Sequence, residues 1–349
     1  GVFRIPYGRN EAPPAPGTLS RKPVVLLQHG LLDSSLAWVY NFPEQSLGFL
    51  LADAGYDVWF GNSRGNWYSM RHETIDPSSA AFWEGVDFDT MASEDLPAVV
   101  QHILSATEAK SLSYVGHSQG TTQAFAAFSE NHDLASRVNF FGALAPVAYV
   151  HHQTSPVLGI AAGLDLDKLF QILGFHDFLP DASLLQLLDP LICSLLPTGC
   201  DIIMFLLVGP SNNLNVSRLD VYTSETPAGT SVKNMAHWAQ EVRAETYQHY
   251  DYGCGLFDCE NKKHYGQKTP PGYNLGNVTV PTALFSGTED MLADPTDVQQ
   301  LADDLPSSTL VHNQVWKGGA HLDFTWGVDA NANVYKDLIT LIDKYSHYG

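Results

Sequence analysis

Short apolar runs alternate with helical patterns along this 349-residue chain, and the alternation restricts its possible folds more than any other feature. Each run is rich in β-branched, leucine or aromatic residues, which predicts a buried strand. Strands that alternate with helices form parallel sheets covered on both faces, so we predict an α/β fold with a mostly parallel sheet. The six predicted strands are VVLLQHG (24–30), GYDVWFGN (55–62), SLSYVGHS (111–118), VNFFGALAPV (138–147), VPTALFSG (280–287) and LVHNQVWKGG (310–319).

One long gap interrupts this alternation. About 130 residues separate the fourth and fifth predicted strands, whereas a crossover between parallel strands needs a few tens at most. The gap contains all four cysteines and apolar segments such as LLQLLDPLICSLL (184–196) and IIMFLLVG (202–209). A separate domain is the alternative, but the strand pattern resumes after the gap, which favours an insertion. We predict that 1–150 and 277–349 form the sheet domain, and that 151–276 is an inserted, mainly helical cap or lid over the carboxyl edge of the sheet.

The segment YVGHSQGTT (114–122) places a serine between a predicted strand and a predicted helix, TTQAFAAFSE (121–130). It contains the pattern G-x-S-x-G, in which a sharp turn exposes a serine hydroxyl above the sheet. Gly116 and Gly120 would allow the strand and the helix to approach each other closely. Ser118 is therefore the predicted nucleophile of an acyl-transfer reaction.

A serine nucleophile needs a base within hydrogen-bonding distance of its hydroxyl, and two histidines are candidates. His117 precedes Ser118, but neighbours around a sharp turn project in different directions, so we predict that His117 points away and serves the turn. In folds that have this strand–turn–helix arrangement around the serine, the base follows the last strand of the sheet. His321, in GGAHLDF after the sixth predicted strand, meets that condition. We predict His321 as the base, against the alternative of one surface histidine among 14.

The acid that orients the base follows the serine and precedes the histidine in this chain order. SGTEDMLADPTD (286–297), after the fifth predicted strand, offers Glu289, Asp290, Asp294 and Asp297. Asp294 suits the N-cap of the next predicted helix, DPTDVQQLADDL, because proline occupies the first helical position and Asp297 falls in the first turn. Asp290 lies in the turn directly after the strand and is the predicted acid.

Acyl transfer also requires hydrogen-bond donors for the developing oxyanion. The turn supplies the main-chain N–H of Gln119, the residue after the nucleophile. A second donor is expected from the loop after an early strand, where the chain has QHGLLDSS (28–35). We therefore predict the main-chain N–H groups of Leu31 and Gln119 as the oxyanion donors.

Paired cysteines and glycosylation sequons both indicate the secretory pathway. Two close cysteine pairs favour local disulfides, which require an oxidising compartment, whereas a zinc site would need CxxC spacing or accompanying histidines. Two Asn-x-Ser/Thr sequons point to the same compartment. The predicted disulfides are Cys193–Cys200 and Cys254–Cys259, and the predicted glycosylation sites are Asn215 and Asn277.

The charge of the chain argues against a nucleic-acid partner, and its hydropathy argues against a transmembrane segment. A net charge of −20 argues against nucleic acid, because a polyphosphate would be repelled. No apolar run approaches the roughly 18 residues that a membrane-spanning helix requires, so we predict no transmembrane segment. Serine-based acyl transfer needs neither a metal nor an organic cofactor, and we predict none.

The chain resembles the acid lipase family, which includes gastric lipase and lysosomal acid lipase and has the α/β-hydrolase fold. The resemblance runs in order from about residue 4 to about residue 335. It is carried by RIPYGR, LLQHGLLDSS, LADAGYDVWFGNSRGN, FDTMASEDLPA, YVGHSQGTT, RLDVYTSETPAGTSVKNMAHW, DMLADPTDV and HLDFTWGVDA.

This resemblance implies the same nucleophile, acid, base and oxyanion donors as the residue patterns, and it implies a cap disulfide at Cys193 and Cys200. The pair Cys254 and Cys259 lies in a segment that does not match the family. The family also implies hydrolysis of triacylglycerols or sterol esters at a lipid–water interface, tolerance of acid, and a secreted, lysosomal or vacuolar location. Alternatives that the sequence leaves open are a catalytically silent lipid-binding or structural protein, and an esterase or phospholipase with other substrates.

Overall fold

The computed structural model describes residues 1–13, 21–155, 176–178, 209, 211–255 and 258–346. Within these ranges, seven strands form one sheet and two short strands form a separate ladder. The strands are β1 (Val2–Ile5), β2 (Val24–Gln28), β3 (Asp57–Gly61), β4 (Leu112–His117), β5 (Val138–Leu144), β6 (Asp177–Phe178), β7 (Thr230–Ser231), β8 (Thr282–Gly287) and β9 (Leu310–Trp316).

The large sheet has the strand order β1-β3-β2-β4-β5-β8-β9. Neighbouring strands pair in parallel, except that β1 is antiparallel to β3 at one edge. All six predicted strands are present, and the α/β fold with a mostly parallel sheet is confirmed. The edge strand β1 was not predicted, because Phe3 and Arg4 in its centre are exposed and the segment has no continuous apolar run.

Helices fill the connections between the strands. Two of them, Gln119–Glu130 and Pro295–Asp304, are the helices predicted after the serine and after the fifth strand. Two π-helical turns, Met91–Asp95 and Asn331–Tyr335, lead directly into longer helices. The helices are α1 (Leu47–Asp53), α2 (Ala80–Glu84), α3 (Phe88–Thr90), α4 (Leu96–Thr107), α5 (Gln119–Glu130), α6 (His132–Ser136), α7 (Leu219–Thr223), α8 (Val232–Arg243), α9 (Glu260–Tyr265), α10 (Pro295–Asp304), α11 (Asp323–Trp326) and α12 (Lys336–Tyr345).

The sheet is buried on both faces because successive residues of a strand point to opposite sides. On β4, Tyr114 joins a core with Phe125 of α5. The next residue, Val115, joins a second core with Leu51 of α1 and Leu338 of α12. Two apolar layers therefore hold the central strands in place, and the carboxyl ends of β2, β4, β8 and β9 form a rigid support for the site.

The described part of 151–276 contains α7, α8, α9 and the antiparallel ladder of β6 and β7. The apolar segment 184–196 lies outside the described residues, as does 202–208. The division of the chain into a sheet domain and an inserted cap stays a prediction.

Candidate active site

The turn between β4 and α5 holds Ser118 in an unusual backbone conformation, with φ 52° and ψ −123°. Two glycines make this turn sterically possible. A Cβ atom at Gly116 would lie 2.7 Å from the carbonyl of Gly120, and a Cβ atom at Gly120 would lie 2.5 Å from the Gln28 carbonyl oxygen at the end of β2. Strand and helix therefore approach more closely than any side chain would allow, as the GHSQG pattern predicts.

Three of the predicted site residues lie in a hydrogen-bonded line. The Ser118 Oγ is 2.8 Å from His321 Nε2, and His321 Nδ1 is 2.9 Å from Asp290 Oδ2. All three side chains are almost fully buried, at 8% or less exposure. The Asp290 Oδ1 also accepts the main-chain N–H groups of Leu292 and Ala293 at 2.9 and 2.8 Å, which fixes the orientation of the carboxylate.

His117 makes a contact that the sequence did not predict. Its Nε2 donates to the carbonyl oxygen of His321 at 2.9 Å, so the side chain supports the main chain of the other histidine and does more than serve the turn. The pKa of His117 is lowered to about 3, mainly by burial and to a smaller extent by the neighbouring His321. In this tautomer Nδ1 is the proton acceptor, and it has no hydrogen-bond partner among the described residues, whereas the Ser118 hydroxyl bonds to His321.

The rival acids have other partners. Asp294 caps α10, with its Oδ1 accepting the Thr296 N–H at 2.8 Å, as the sequence predicts. Asp297 is buried and accepts from the main chain and the ring of His152. Glu289 is exposed to solvent. Among the four candidate acids, Asp290 is the one that contacts the His321 ring.

The loop after β2 passes directly against the nucleophile. A Cβ atom at Gly30 would lie 2.9 Å from the Ser118 Cβ atom. His29 anchors this loop, because its Nε2 accepts the main-chain N–H of Ser63 at 3.0 Å, while burial lowers its pKa to about 4 and keeps it neutral. No main-chain acceptor in the described ranges takes the Leu31 N–H, and Gln119 begins α5, where the first N–H groups have no acceptor within the helix.

Comparisons with known proteins identify the family of the chain. Residues 23–328 match the family described as alpha/beta hydrolase fold, and residues 1–42 match a partial alpha/beta-hydrolase lipase region. The chain is 45% identical to the lysosomal acid lipase/cholesteryl ester hydrolase of Homo sapiens, over 98% of this chain and 84% of the relative. It is 46% identical to the gastric triacylglycerol lipase of Bos taurus over the same shares. The chain belongs to the acid lipase family.

Solved structures that resemble this acid lipase family member share its fold at low sequence identity. A soluble variant of monoglyceride lipase from Saccharomyces cerevisiae has a TM-score of 0.58 at 16% identity, over 99% of this chain and 92% of that one. A putative lipase from Sulfolobus solfataricus has a TM-score of 0.60 at 14% identity, over 98% and 93% of the two chains. These similarities support the α/β-hydrolase fold.

Several residues around the site were not found by sequence reasoning. The side chain of Gln119 is buried, and its Oε1 accepts from Asn234 Nδ2 at 2.8 Å and from Trp238 Nε1 at 2.6 Å. Asp33, within the predicted oxyanion loop 28–35, accepts from Thr226 Oγ1 at 3.2 Å, and burial raises its pKa to about 7. The available signal was the segment TPAGTSVKNMAHW, which matches the acid lipase family although no chemical role was assigned to it.

The remaining predicted site residues concern disulfide bonds and glycosylation. Cys254 and Cys259 are joined by a disulfide bond, while Cys193 and Cys200 lie outside the described residues. Asn277 is exposed, and Asn215 accepts hydrogen bonds from the N–H and hydroxyl of Ser217.

The described ranges also bear on metals and membranes. They contain no group of three or more histidine, cysteine, aspartate or glutamate residues that could hold a metal ion. No helix within these ranges has the length and apolar character needed to cross a bilayer.

Proposed function

We propose that this protein is a serine hydrolase that cleaves carboxylic esters of neutral lipids through an acyl-enzyme. The observation that carries the proposal is the line from Ser118 Oγ through His321 to the Asp290 carboxylate, at 2.8 and 2.9 Å. This arrangement supports a nucleophile activated by a neighbouring base, which is in turn oriented by a buried acid.

In the first half of the reaction, His321 takes the Ser118 proton as Oγ attacks the ester carbonyl carbon. The main-chain N–H groups of Leu31 and Gln119 stabilise the negative oxygen of the tetrahedral intermediate. Asp290 keeps the imidazole in the tautomer that accepts at Nε2 and stabilises the imidazolium. His321 then gives its proton to the leaving alkoxide, so that an alcohol departs and an acyl-enzyme remains.

In the second half, water replaces the alcohol. His321 takes a proton from this water as its oxygen attacks the acyl carbon, and the same two N–H groups stabilise the second oxyanion. The proton returns to Ser118 Oγ as the bond to the enzyme breaks, and a fatty acid is released. No step needs a metal or an organic cofactor.

The names of the relatives support a neutral lipid as the substrate, since they act on triacylglycerols or cholesteryl esters. We extend this substrate class, action at a lipid–water interface, tolerance of acid and a secretory-pathway location to this chain. We also propose that 151–276 is a cap that contacts the acyl chain, because α8 of this segment already bonds to the residue after the nucleophile.

A hydrolysis panel tests the proposal. Soluble short-chain esters, emulsified triacylglycerol, sterol ester and phospholipid are incubated at acidic and neutral pH with the wild type and with Ser118→Ala. We expect hydrolysis of triacylglycerol or sterol ester by the wild type, and a fall in kcat of about 10⁶-fold in the variant. Equal rates for wild type and variant would remove Ser118 from the mechanism, and hydrolysis of phospholipid alone would refute the substrate class.

A further inference from the structure

The segment 226–238, here called the anchor segment, contacts both loops that carry the proposed oxyanion donors. It has the sequence TPAGTSVKNMAHW and includes β7 and the first half of α8. It lies far from both loops in sequence. One stretch of chain therefore contacts the site from two sides, and the proposed mechanism gives this stretch no role.

On the first side, the anchor segment holds the side chain of the residue after the nucleophile. Asn234 and Trp238 are four residues apart, so they lie on the same face of α8. Both donate to one atom, the Gln119 Oε1, at 2.8 and 2.6 Å. The other end of this amide, Nε2, lies 3.5 Å from the sulfur of Met91. The side chain of Gln119 therefore has no freedom to rotate without breaking two hydrogen bonds.

On the second side, the anchor segment holds the loop that carries Leu31. The Ala228 N–H donates to the Leu32 carbonyl at 2.7 Å, and Thr226 Oγ1 donates to Asp33 Oδ1 at 3.2 Å. Leu32 has a φ of 60°, a conformation that side-chain-bearing residues rarely adopt and keep only when their surroundings enforce it. These two hydrogen bonds help to hold Leu32 in that backbone conformation.

Oxyanion stabilisation depends on donors that are aligned before the reaction begins, because a donor that must reorient contributes less to the transition state. We propose that Asn234 and Trp238 are positioning residues that align the main-chain N–H of Gln119, and that Thr226 and Ala228 do the same for Leu31. The proposal rests on the function proposed above.

A purely structural role would also require partners for the buried Gln119 amide, because an unpaired buried polar group destabilises the fold. The two roles differ in what they change. Loss of structure lowers the amount of folded enzyme and the thermal midpoint. Misaligned donors lower the rate of each folded molecule and its affinity for a tetrahedral adduct, and leave substrate binding intact.

The test uses Trp238→Phe, which removes the indole N–H and keeps most of the ring. The matched control is Trp83→Phe, which removes a different indole N–H bond, the one to the Pro77 carbonyl at 2.9 Å. Both enzymes are assayed with a soluble p-nitrophenyl ester, after titration of active sites with a fluorophosphonate. A trifluoromethyl ketone, which forms a tetrahedral adduct with the serine, reports on the oxyanion site directly.

We expect Trp238→Phe to lower kcat about tenfold, a fraction of the effect of deleting a whole donor. The inhibition constant of the ketone should rise by a similar factor, while KM stays unchanged and the control keeps wild-type values. A double-mutant cycle with Gln119→Leu, which keeps the main-chain N–H, should show that the second change adds little once the first is made.

Thr226→Val provides a second test that does not depend on the folding of Trp238→Phe. It has almost the same shape as the wild type and removes the bond to Asp33, so kcat and ketone affinity should again fall together. Wild-type kcat and ketone affinity in both Trp238→Phe and Thr226→Val would overturn the inference. A wild-type enzyme that neither hydrolyses the ester nor reacts with the fluorophosphonate would overturn the proposed function itself, and this role with it.

Discussion

Replacing Gly120 by alanine should damage the site although it improves the helix. Gly120 lies in the first turn of α5, where alanine is favoured over glycine by about 1 kcal/mol. The new Cβ atom, however, would lie 2.5 Å from the Gln28 carbonyl oxygen and 2.8 Å from that of His29. Both are main-chain atoms, so no side chain can rotate out of the way, and either the helix or the loop must move.

The size of the movement sets the expected effect. Restoring ordinary van der Waals contact with the Gln28 oxygen requires a shift of about 1 Å between α5 and the loop that carries Leu31, and a misplacement of this size costs about 100-fold in rate. Overpacking should lower the free energy of unfolding by about 1–3 kcal/mol, partly offset by the gain in helix propensity.

The assay is kcat/KM for a soluble ester, with thermal unfolding measured alongside. Gly85→Ala is the matched control, because it lies at the end of α2 with a φ of −91° and its nearest potential contact is an Arg64 side-chain nitrogen at 3.7 Å. We expect full activity from Gly85→Ala. A Gly120→Ala enzyme with wild-type kcat/KM would refute the argument that this close approach sets the geometry of the site.

Two further predictions concern the acid and the pH range. Asp290→Asn should lower kcat by about 10⁴-fold, because the amide favours the wrong imidazole tautomer. Asp294→Asn should keep the helix cap and full activity, because asparagine also caps helices. Activity that survives in Asp290→Asn and is lost in Asp294→Asn would contradict our choice of acid. Burial alone would lower the pKa of His249, but its hydrogen bonds to Asp89 and Glu130 outweigh burial and raise it to about 9. The contacts of protonated His249 with Asp89 and Glu130 therefore stabilise the fold fully below pH 6.5 and are lost as the pH rises to 9. The shift corresponds to about 3 kcal/mol, and because solvent screens this partly exposed site, denaturant titrations should show a loss of about 2 kcal/mol. In His249→Gln this loss should be absent, and an unchanged slope would show that His249 is not its source.

The central strands could be predicted from the sequence because burial on both faces makes them predominantly apolar. Val24–Gln28 and Leu112–His117 are fully buried at every position. The edge strand Val2–Ile5 could not be predicted, since Phe3 and Arg4 are exposed and the segment becomes a strand by pairing with β3. Pairing with a strand that is distant in sequence produces no recognisable residue pattern in a four-residue segment.

The hydrogen-bonded line of Ser118, His321 and Asp290 was predictable because the turn chemistry around Ser118 indicates where its partners follow in the chain. The capping role of Asp294 was predictable for a similar local reason, namely the proline that follows it. The hydrogen bonds that support these residues could not be predicted. His117 bonds to a carbonyl 204 residues away, and Trp238 bonds to a side chain 119 residues away. Long-range hydrogen bonds of this kind depend on the whole fold, so residue type and spacing do not reveal them.

The central claim is that Ser118 is an activated nucleophile that becomes acylated. The most direct measurement is reaction of the folded protein with a fluorophosphonate, followed by mass spectrometry of the peptide that contains Ser118. We expect one label per chain, located on Ser118, and a strongly reduced labelling rate in His321→Ala. A folded wild-type protein that carries no label at Ser118, or a label at another serine, would contradict it.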